Sequence, residues 1–415
     1  MSVEVASYAG AMEALRHPDL MQGLYDAGMS VMADALITLH GESHSQRRVV
    51  EFGVFGRGFY VLDDFSPLRS VSEELLQREA ALFGVRDALL YVPARPLGAS
   101  GAGFQGAAFY TADNPPFGAL LTYHLKEGLK TLKEQRKEAE KKADAVEYPA
   151  LEKFREESLE PTPRITLTIS DENGREVRRL EGPVAQGFHR VSWDLRHAGA
   201  QPAADPDNDE DGPPGPLVLP GSYTAKLFKT VGGETVELDG PQRFRVKALG
   251  VSEMSVEARG ELEAFQKRLA LLRGAVEGAL ESAASAQDRL GRIDLALREF
   301  PAADPELPAR ARRLTDELTD LLIPLRGDPV VRSYGSPPPP SIRSSVLQIV
   351  DDQRFSTSPP TNTHRRQYQQ VGEAFSSVLV RLKRLIDEDL AALEADLDEA
   401  GVPWTPGRLP VWPPR

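Results

Sequence analysis

The chain contains no cysteine, which removes disulfide staples, thiolate nucleophiles and Cys-ligated metals from consideration. Nor does it hold a run of about 18 apolar residues, so no helical membrane span is expected. A basic surplus is missing as well. The 49 Lys and Arg residues stand against 62 Asp and Glu, for a formal charge of −13, and nucleic acid is a poor partner for such a surface. The short runs Gln46-Arg47-Arg48 and His364-Arg365-Arg366 read as solvated faces. The opening stretch "MSVEVASYAGAMEALRHPDL" has neither a basic n-region nor an unbroken apolar core, so as written it is not a secretory signal and a cytoplasmic location is expected.

Several catalytic signatures are also missing. There is no G-x-S-x-G elbow and no P-loop, and "GRGFYV" lacks the third glycine of a dinucleotide fingerprint. In "HGESH", His40 and His44 have the i, i+4 spacing of two ligands on a helix. Gly41, however, stands where the zinc-protease motif has its Glu, and no third ligand is evident. No metal and no cofactor is expected.

What remains is an ordinary globular composition, 41% hydrophobic and 27% charged over 415 residues, enough for about two to four domains. Residues 1–46 stay unplaced, with weak helical spacing of Met29, Met32, Ala33 and Leu36. From Arg48 the texture turns β-rich: "VVEFGVFGRGFYVLDDF" reads as strands buried on both faces and joined by a glycine turn. Ser66-Pro67 stops it, and "SVSEELLQREAALF" predicts a short helix capped by Ser72. The region 47–125 continues as short β segments with Gly and Pro breakers. Residues 126–160 switch to Lys, Glu, Ala and Gln, predicting a solvated helical excursion with few apolar positions.

Residues 161–250 form the clearest unit. "RITLTISDENGREVRRL" predicts a hairpin with a type I′ turn at Asn173-Gly174, and Ile165, Leu167 and Ile169 mark its buried face. "GFHRVSWDLR" adds a strand with Phe188, Val191 and Trp193 as core residues. Strands meeting at Gly232-Gly233 complete a small β-sandwich. From 251 to 400 three apolar stripes recur at helical spacing: Leu262, Phe265, Leu269, Leu272, Val276 and Leu280; Leu314, Leu318, Leu321 and Leu325; Val371, Phe375, Val378, Leu382 and Leu385. With Pro-rich connections between them, they predict an antiparallel three-helix bundle. Residues 401–415 form a tail. The fold class expected is therefore multidomain α+β.

The candidate chemistry is thin. Asp63 and Asp64 are paired acids in a glycine-rich, aromatic setting, and paired carboxylates are what glycosidic cleavage uses. Adjacent residues on a strand point to opposite faces, so one of them could reach a cleft while the other serves the turn into Ser66-Pro67. Arg57 could hold a carboxylate bidentately, or pair with Asp63 or Asp64 to close the β layer. Trp193 in "WDLR" could stack on a sugar, or fill the sandwich core.

"GVFGRGFYVLDDFSPLR", "RDALLYVPARPLG", "FQGAAFYTADNPPFGALLTYHLKE", "GFHRVSWDLR", "PGSYTAKL" and "PWTPGRLPVW" together resemble the C-terminal region of bacterial BNR-repeat, sortilin-like β-propeller proteins that are labelled glycosyl hydrolases. The resemblance covers about residues 47–415. It implies that 47–125 is a remnant of the last propeller blade with a connector, and that 161–250 is an Ig-like sandwich similar to flagellar hook-capping modules. It also implies exported full-length relatives and partners that are propeller blades, another protein or a glycan. Upstream Asp-box blades are not found, so the expectation is a truncated, non-catalytic accessory region, with glycosyl hydrolase activity as the alternative. On that expectation, limited proteolysis should cut within 47–125 first and spare 163–248.

Overall fold

The computed structural model describes residues 36–40, 49–54, 58–62, 64–91, 116–142, 149–200, 215–249, 254–300, 304–354, 356 and 358–410. The protein is mixed α/β with a C-terminal helical region. Its described residues divide into two compact units, one within Met1–Ala198 and Val218–Ser252, the other within Gly199–Leu217 and Glu253–Arg415.

The first unit carries the strands β1 (Leu36–His40), β2 (Val49–Val54), β3 (Gly58–Leu62), β4 (Ala80–Leu82), β5 (Ala88–Leu90), β6 (Ala119–Leu125), β7 (Arg164–Ser170), β8 (Glu176–Gly182), β9 (Gly187–Trp193), β10 (Gly221–Val231) and β11 (Glu234–Ala248). They form three sheets among the described residues, in the orders β1-β2-β3, β5-β11-β10-β7-β8 and β4-β6-β9. β1 begins at Leu36, the last position of the weak helical stripe expected in 29–36, so that stripe does not continue as a helix there. Its other members lie outside the described residues.

The five-stranded and three-stranded sheets face each other across Trp193. This indole, on β9, is fully buried and meets the rings of Tyr223 on β10 and Phe244 on β11 at centroid distances of 5.4 and 6.1 Å. Its Nε1–H donates to the Arg196 carbonyl at 2.9 Å, which satisfies the one polar atom that burial would otherwise strand. Ile165, Leu167 and Ile169 line the same core, alternating with half-exposed threonines as the period of two demands. Val191 is half-buried. Phe188 falls on the opposite face of β9 and stacks on Phe83 at 5.6 Å.

Three expectations change here. Within 47–125 the described strands β4, β5 and β6 are not a connector beside the sandwich but strands of its two sheets. Long-range bonds hold them in place. The Asp239 carboxylate accepts from the Leu82 N–H at 2.7 Å and from Arg78 at 3.1 Å, while Gln242 donates to the Leu82 carbonyl at 3.0 Å. Ala80-Ala81-Leu82 reads as helical by propensity, yet the helix α1 (Glu73–Gln77), capped by Ser72 as expected, stops short of it and the triplet pairs with β6. Tertiary pairing overrides the local preference of a three-residue segment. The β7–β8 turn is also different. Gly174 has φ of +75° but Asn173 does not share the left-handed region, which a type I′ turn needs at both positions. Instead Asp171 Oδ1 accepts from the N–H groups of Asn173 and Arg175, both at 2.9 Å, and organises a wider turn.

The excursion is two helices, α2 (Leu132–Lys142) and α3 (Leu151–Leu159), neither with a buried residue, as their composition predicts. Arg136 joins them through a fork to Glu157 at 2.6 and 2.9 Å.

The second unit contains α4 (Val256–Glu299), α5 (Glu306–Arg326), the short α6 (Pro329–Ser333), α7 (Ile342–Arg354), α8 (Asn362–Arg384) and α9 (Ala391–Glu399), the last two joined by a π-helical turn at Leu385–Leu390. Cross-links fix their directions. Arg365 bonds Glu261 and Arg289 bonds Glu394, so α8–α9 runs parallel to α4. Arg310 bonds Asp396 and lies just beyond the α4–α5 connection, so α5 runs antiparallel to both. α7 continues the α5 direction along α4, with Arg343 on Glu277 at 2.9 Å and Gln266 on the Gln353 carbonyl at 2.8 Å. The outcome is three antiparallel rods whose middle one is broken into α5 and α7. α7 was missed in the sequence because its stripe, Ile342, Val346 and Ile349, is short and follows four prolines. All three expected stripes converge on one core.

The tail is pinned to this unit. The Arg408 side chain is 1% exposed and donates to Asp398 at 2.9 and 2.5 Å and to the carbonyls of Val402 and Pro403. Gly407, at φ +98°, passes so near Arg289 that a Cβ would lie 2.8 Å from its Nε.

Two outcomes are expected from this packing. Trp193→Ala should lower unfolding free energy by about 3–5 kcal/mol, the range for deleting a buried large aromatic, read as a lower urea midpoint. The second concerns Asp87, which ties β5 to β11 through the Arg245 N–H at 3.0 Å and Lys247 at 2.5 Å. Burial alone would raise its pKa, but the bonds from Lys247 and Arg245 outweigh it and hold the carboxyl below the usual carboxylate range. Its contribution is therefore complete above the unfolded-chain value of about 3.9 and is lost as pH falls through the lower folded value. Asp87→Asn should lower the melting temperature most at neutral pH, where this contribution is complete, and flatten the acid limb of the profile as the two proteins converge in that window.

Candidate functional site

Of the three residues singled out by sequence, Arg57 and Asp63 lie outside the described residues. Asp64 is described, at the exit of the β2–β3 hairpin just before a 3-10 turn at Ser66–Ser70. It is buried. Its Oδ1 accepts from the Ser66 N–H at 3.0 Å and from the Ser66 hydroxyl at 2.5 Å, and Arg86 approaches the same oxygen at 3.7 Å. The Asp64 backbone carbonyl accepts from the guanidinium of Arg190 on β9. This is the local geometry of an Asx turn: a short carboxylate captures the N–H two residues ahead and starts the turn that Pro67 then continues.

The surroundings are apolar. Phe65, Pro67 and Leu68 are buried beside it, and Arg69 lies over the Phe65 ring at 4.9 Å. Of the two roles weighed for the paired acids, Asp64 therefore takes the one that serves the turn. Arg86 and Arg190 are the partners that sequence reasoning missed. Neither belongs to a motif, and each becomes adjacent to Asp64 only through the pairing of β6 with β9 and the return of the chain after β4. The sole signal was the Asp-x-Ser-Pro spacing itself, which favours a turn.

Trp193, the residue that could have stacked on a sugar, is sealed in the sandwich core and presents no face to solvent. His40 ends β1, and His44 lies outside the described residues. Among the described residues no group of three or more His, Asp or Glu side chains is placed to hold a metal ion. An open hollow of about 480 Å³ lies where the end of β6 leaves the sheet, lined by Gln77, Glu79, Lys126, Glu127, Leu129 and Leu238 among others. Its Glu79 is engaged by Lys229 of β10.

One further polar contact is structural. The Tyr123 hydroxyl donates to the Pro183 carbonyl at 2.6 Å, and burial pushes the phenol pKa well up. Gly182 leaves the room for it, because a Cβ there would sit 2.4 Å from the hydroxyl oxygen.

Asp64→Ala removes the acceptor of a partly buried N–H and hydroxyl and leaves Arg86 without its carboxylate. A loss of about 1–3 kcal/mol of stability is expected, measured by chemical denaturation. Asp64→Asn, which keeps one acceptor oxygen, should lose less.

No family model matches the chain, and no curated protein matches it. In the comparison with solved structures, one titled pT26-6p aligns over 68% of this chain and 44% of its own length, at 10% identity and a TM-score of 0.14. Likeness at that level carries no argument about fold or activity.

Proposed function

We propose that this chain is a non-catalytic accessory region that contacts other protein surfaces, built on the plan of the sortilin-like, BNR-repeat propeller proteins. The observation that carries the non-catalytic reading is the engagement of Asp64. A glycosidase acid or nucleophile must touch the glycosidic oxygen or the anomeric carbon, whereas this carboxylate is buried and turned onto Ser66 and Arg86.

One backbone feature supports the propeller kinship. β1, β2 and β3 pair antiparallel in sequence order, the up-and-down connectivity of a propeller blade, which has four such strands. The sandwich supports an Ig-like reading. Trp193 is buried between the sheets, and the Tyr223 hydroxyl donates to the Leu219 carbonyl four residues upstream at 2.7 Å, the geometry of the tyrosine corner in Ig domains. On this reading the β1–β3 sheet lies against further blades, and the partner is a protein or, through the same surface, a glycan.

The reading is tested by incubating the purified chain with a panel of aryl-glycosides, sialosides included. Release of the aryl group at the buffer rate, the same for the chain and for Asp64→Asn, is expected. Turnover that disappears in Asp64→Asn while the fold is retained would replace this proposal with the hydrolase reading.

A further inference from the structure

The break in the middle rod of the helical unit has a composition that a simple connection does not require. α5 already ends at Gly327, whose φ of +95° suits a helix stop. α6 follows, opened by Asp328, whose Oδ1 accepts from the Val330 N–H at 2.8 Å, and Gly335 at φ +71° turns the chain out of it. α7 is started without help from proline. Ser341 and Ser344 cap it reciprocally, Ser344 Oγ accepting from the Ser341 N–H at 2.8 Å and Ser341 Oγ from the Ser344 N–H at 3.2 Å. Between these two fixed ends stand four consecutive prolines, Pro337–Pro340.

Their conformation follows from covalent structure. Each proline fixes its own φ near −65°, and each residue that precedes a proline is driven out of the helical region into extended backbone. Ser336, Pro337, Pro338 and Pro339 all precede a proline. The run is thus a left-handed polyproline II segment of about 3.1 Å per residue. Pro337, Pro339 and Pro340 are exposed and Pro338 is half-buried. Among the described residues, no hydrogen bond reaches the carbonyls of Ser336–Pro340. Tyr334, two residues before the run begins at Ser336, is 83% exposed, and Arg332 is exposed as well.

We propose that Ser336–Pro340 is a recognition ligand that docks in an aromatic-lined groove on a partner protein. Proline rings offer a ridged apolar surface, and their carbonyls are strong acceptors with no neighbouring N–H to compete. The complementary surface is a row of flat Trp or Tyr rings whose N–H and O–H groups donate to those carbonyls. Docking loses little chain entropy, since the backbone is already fixed by its rings and anchored at Gly335 and Ser341. The exposed Arg332, just before the run, favours a groove with an acidic rim. The inference does not depend on the propeller reading, because it concerns only the helical unit.

The test uses the full chain with three purified groove domains as probes, of the SH3, WW and EVH1 types, each followed by its intrinsic Trp fluorescence. At least one should bind with saturation. Replacing Pro337–Pro340 by four alanines should weaken that binding about tenfold or more, equivalent to about 1.4 kcal/mol, and Arg332→Glu should weaken it without altering the far-UV circular dichroism. A peptide spanning residues 332–343 should compete. Binding by none of the three domains, or binding that the four alanines leave unchanged, would overturn the proposal and leave the run as a stiff spacer.

Discussion

The burial of Trp193 between two sheets is the constraint on which the first unit rests. The indole needs a wall on both sides and an acceptor for its N–H. Tyr223 and Phe244 supply the far wall, and the Arg196 carbonyl supplies the acceptor. To place β9 under that wall, the three-stranded sheet must be assembled from segments far apart in the chain. Asp239 and Asp87 are the groups that pull the early strands into register with the late ones. Asp64 works at the margin of this arrangement. Its side chain shapes the turn, and its carbonyl receives Arg190 from the same strand that carries Trp193.

Much of the architecture was legible where the pattern was periodic and long. The alternation of Ile165, Leu167 and Ile169 and the three leucine-rich stripes of the helical unit report their buried faces directly. What escaped was short or non-local. β4 is three residues of Ala and Leu, a sequence with no intrinsic claim to a strand, and only β6 makes it one. β5 is parallel to β11, a pairing that no local signal announces. The β7–β8 turn depended on the Asp171 side chain, which redirected an Asn-Gly pair from its usual geometry. The candidate site fared similarly: the turn role of Asp64 could be read from Ser66-Pro67, while Arg86 and Arg190 are neighbours only in three dimensions.

The helical unit obeys a different logic. α4, with 44 residues, extends about 66 Å at 1.5 Å per residue, longer than any single partner among the described helices. Its length is covered by α5 and α7 in succession and by the continuous α8–α9 rod, whose π-helical turn keeps it unbroken. Arginines from three different segments, Arg289, Arg310 and Arg408, converge on Glu394, Asp396 and Asp398 of α9. The end of the bundle is therefore held by charge-assisted bonds as well as by packing, and these resist competition best where, as with Arg408, the cation is withdrawn from water.

The ladder between β5 and β11 carries a consequence for how the polypeptide is made. Asp87 meets Arg245 across 158 positions of sequence. At a synthesis rate of about 5–20 residues per second, roughly 8–30 seconds pass on the ribosome before β5 finds its neighbour. Throughout that interval the apolar face of the early strands has no permanent cover, so a nascent chain of this design relies on holding factors or on transient collapse until its last long strand emerges.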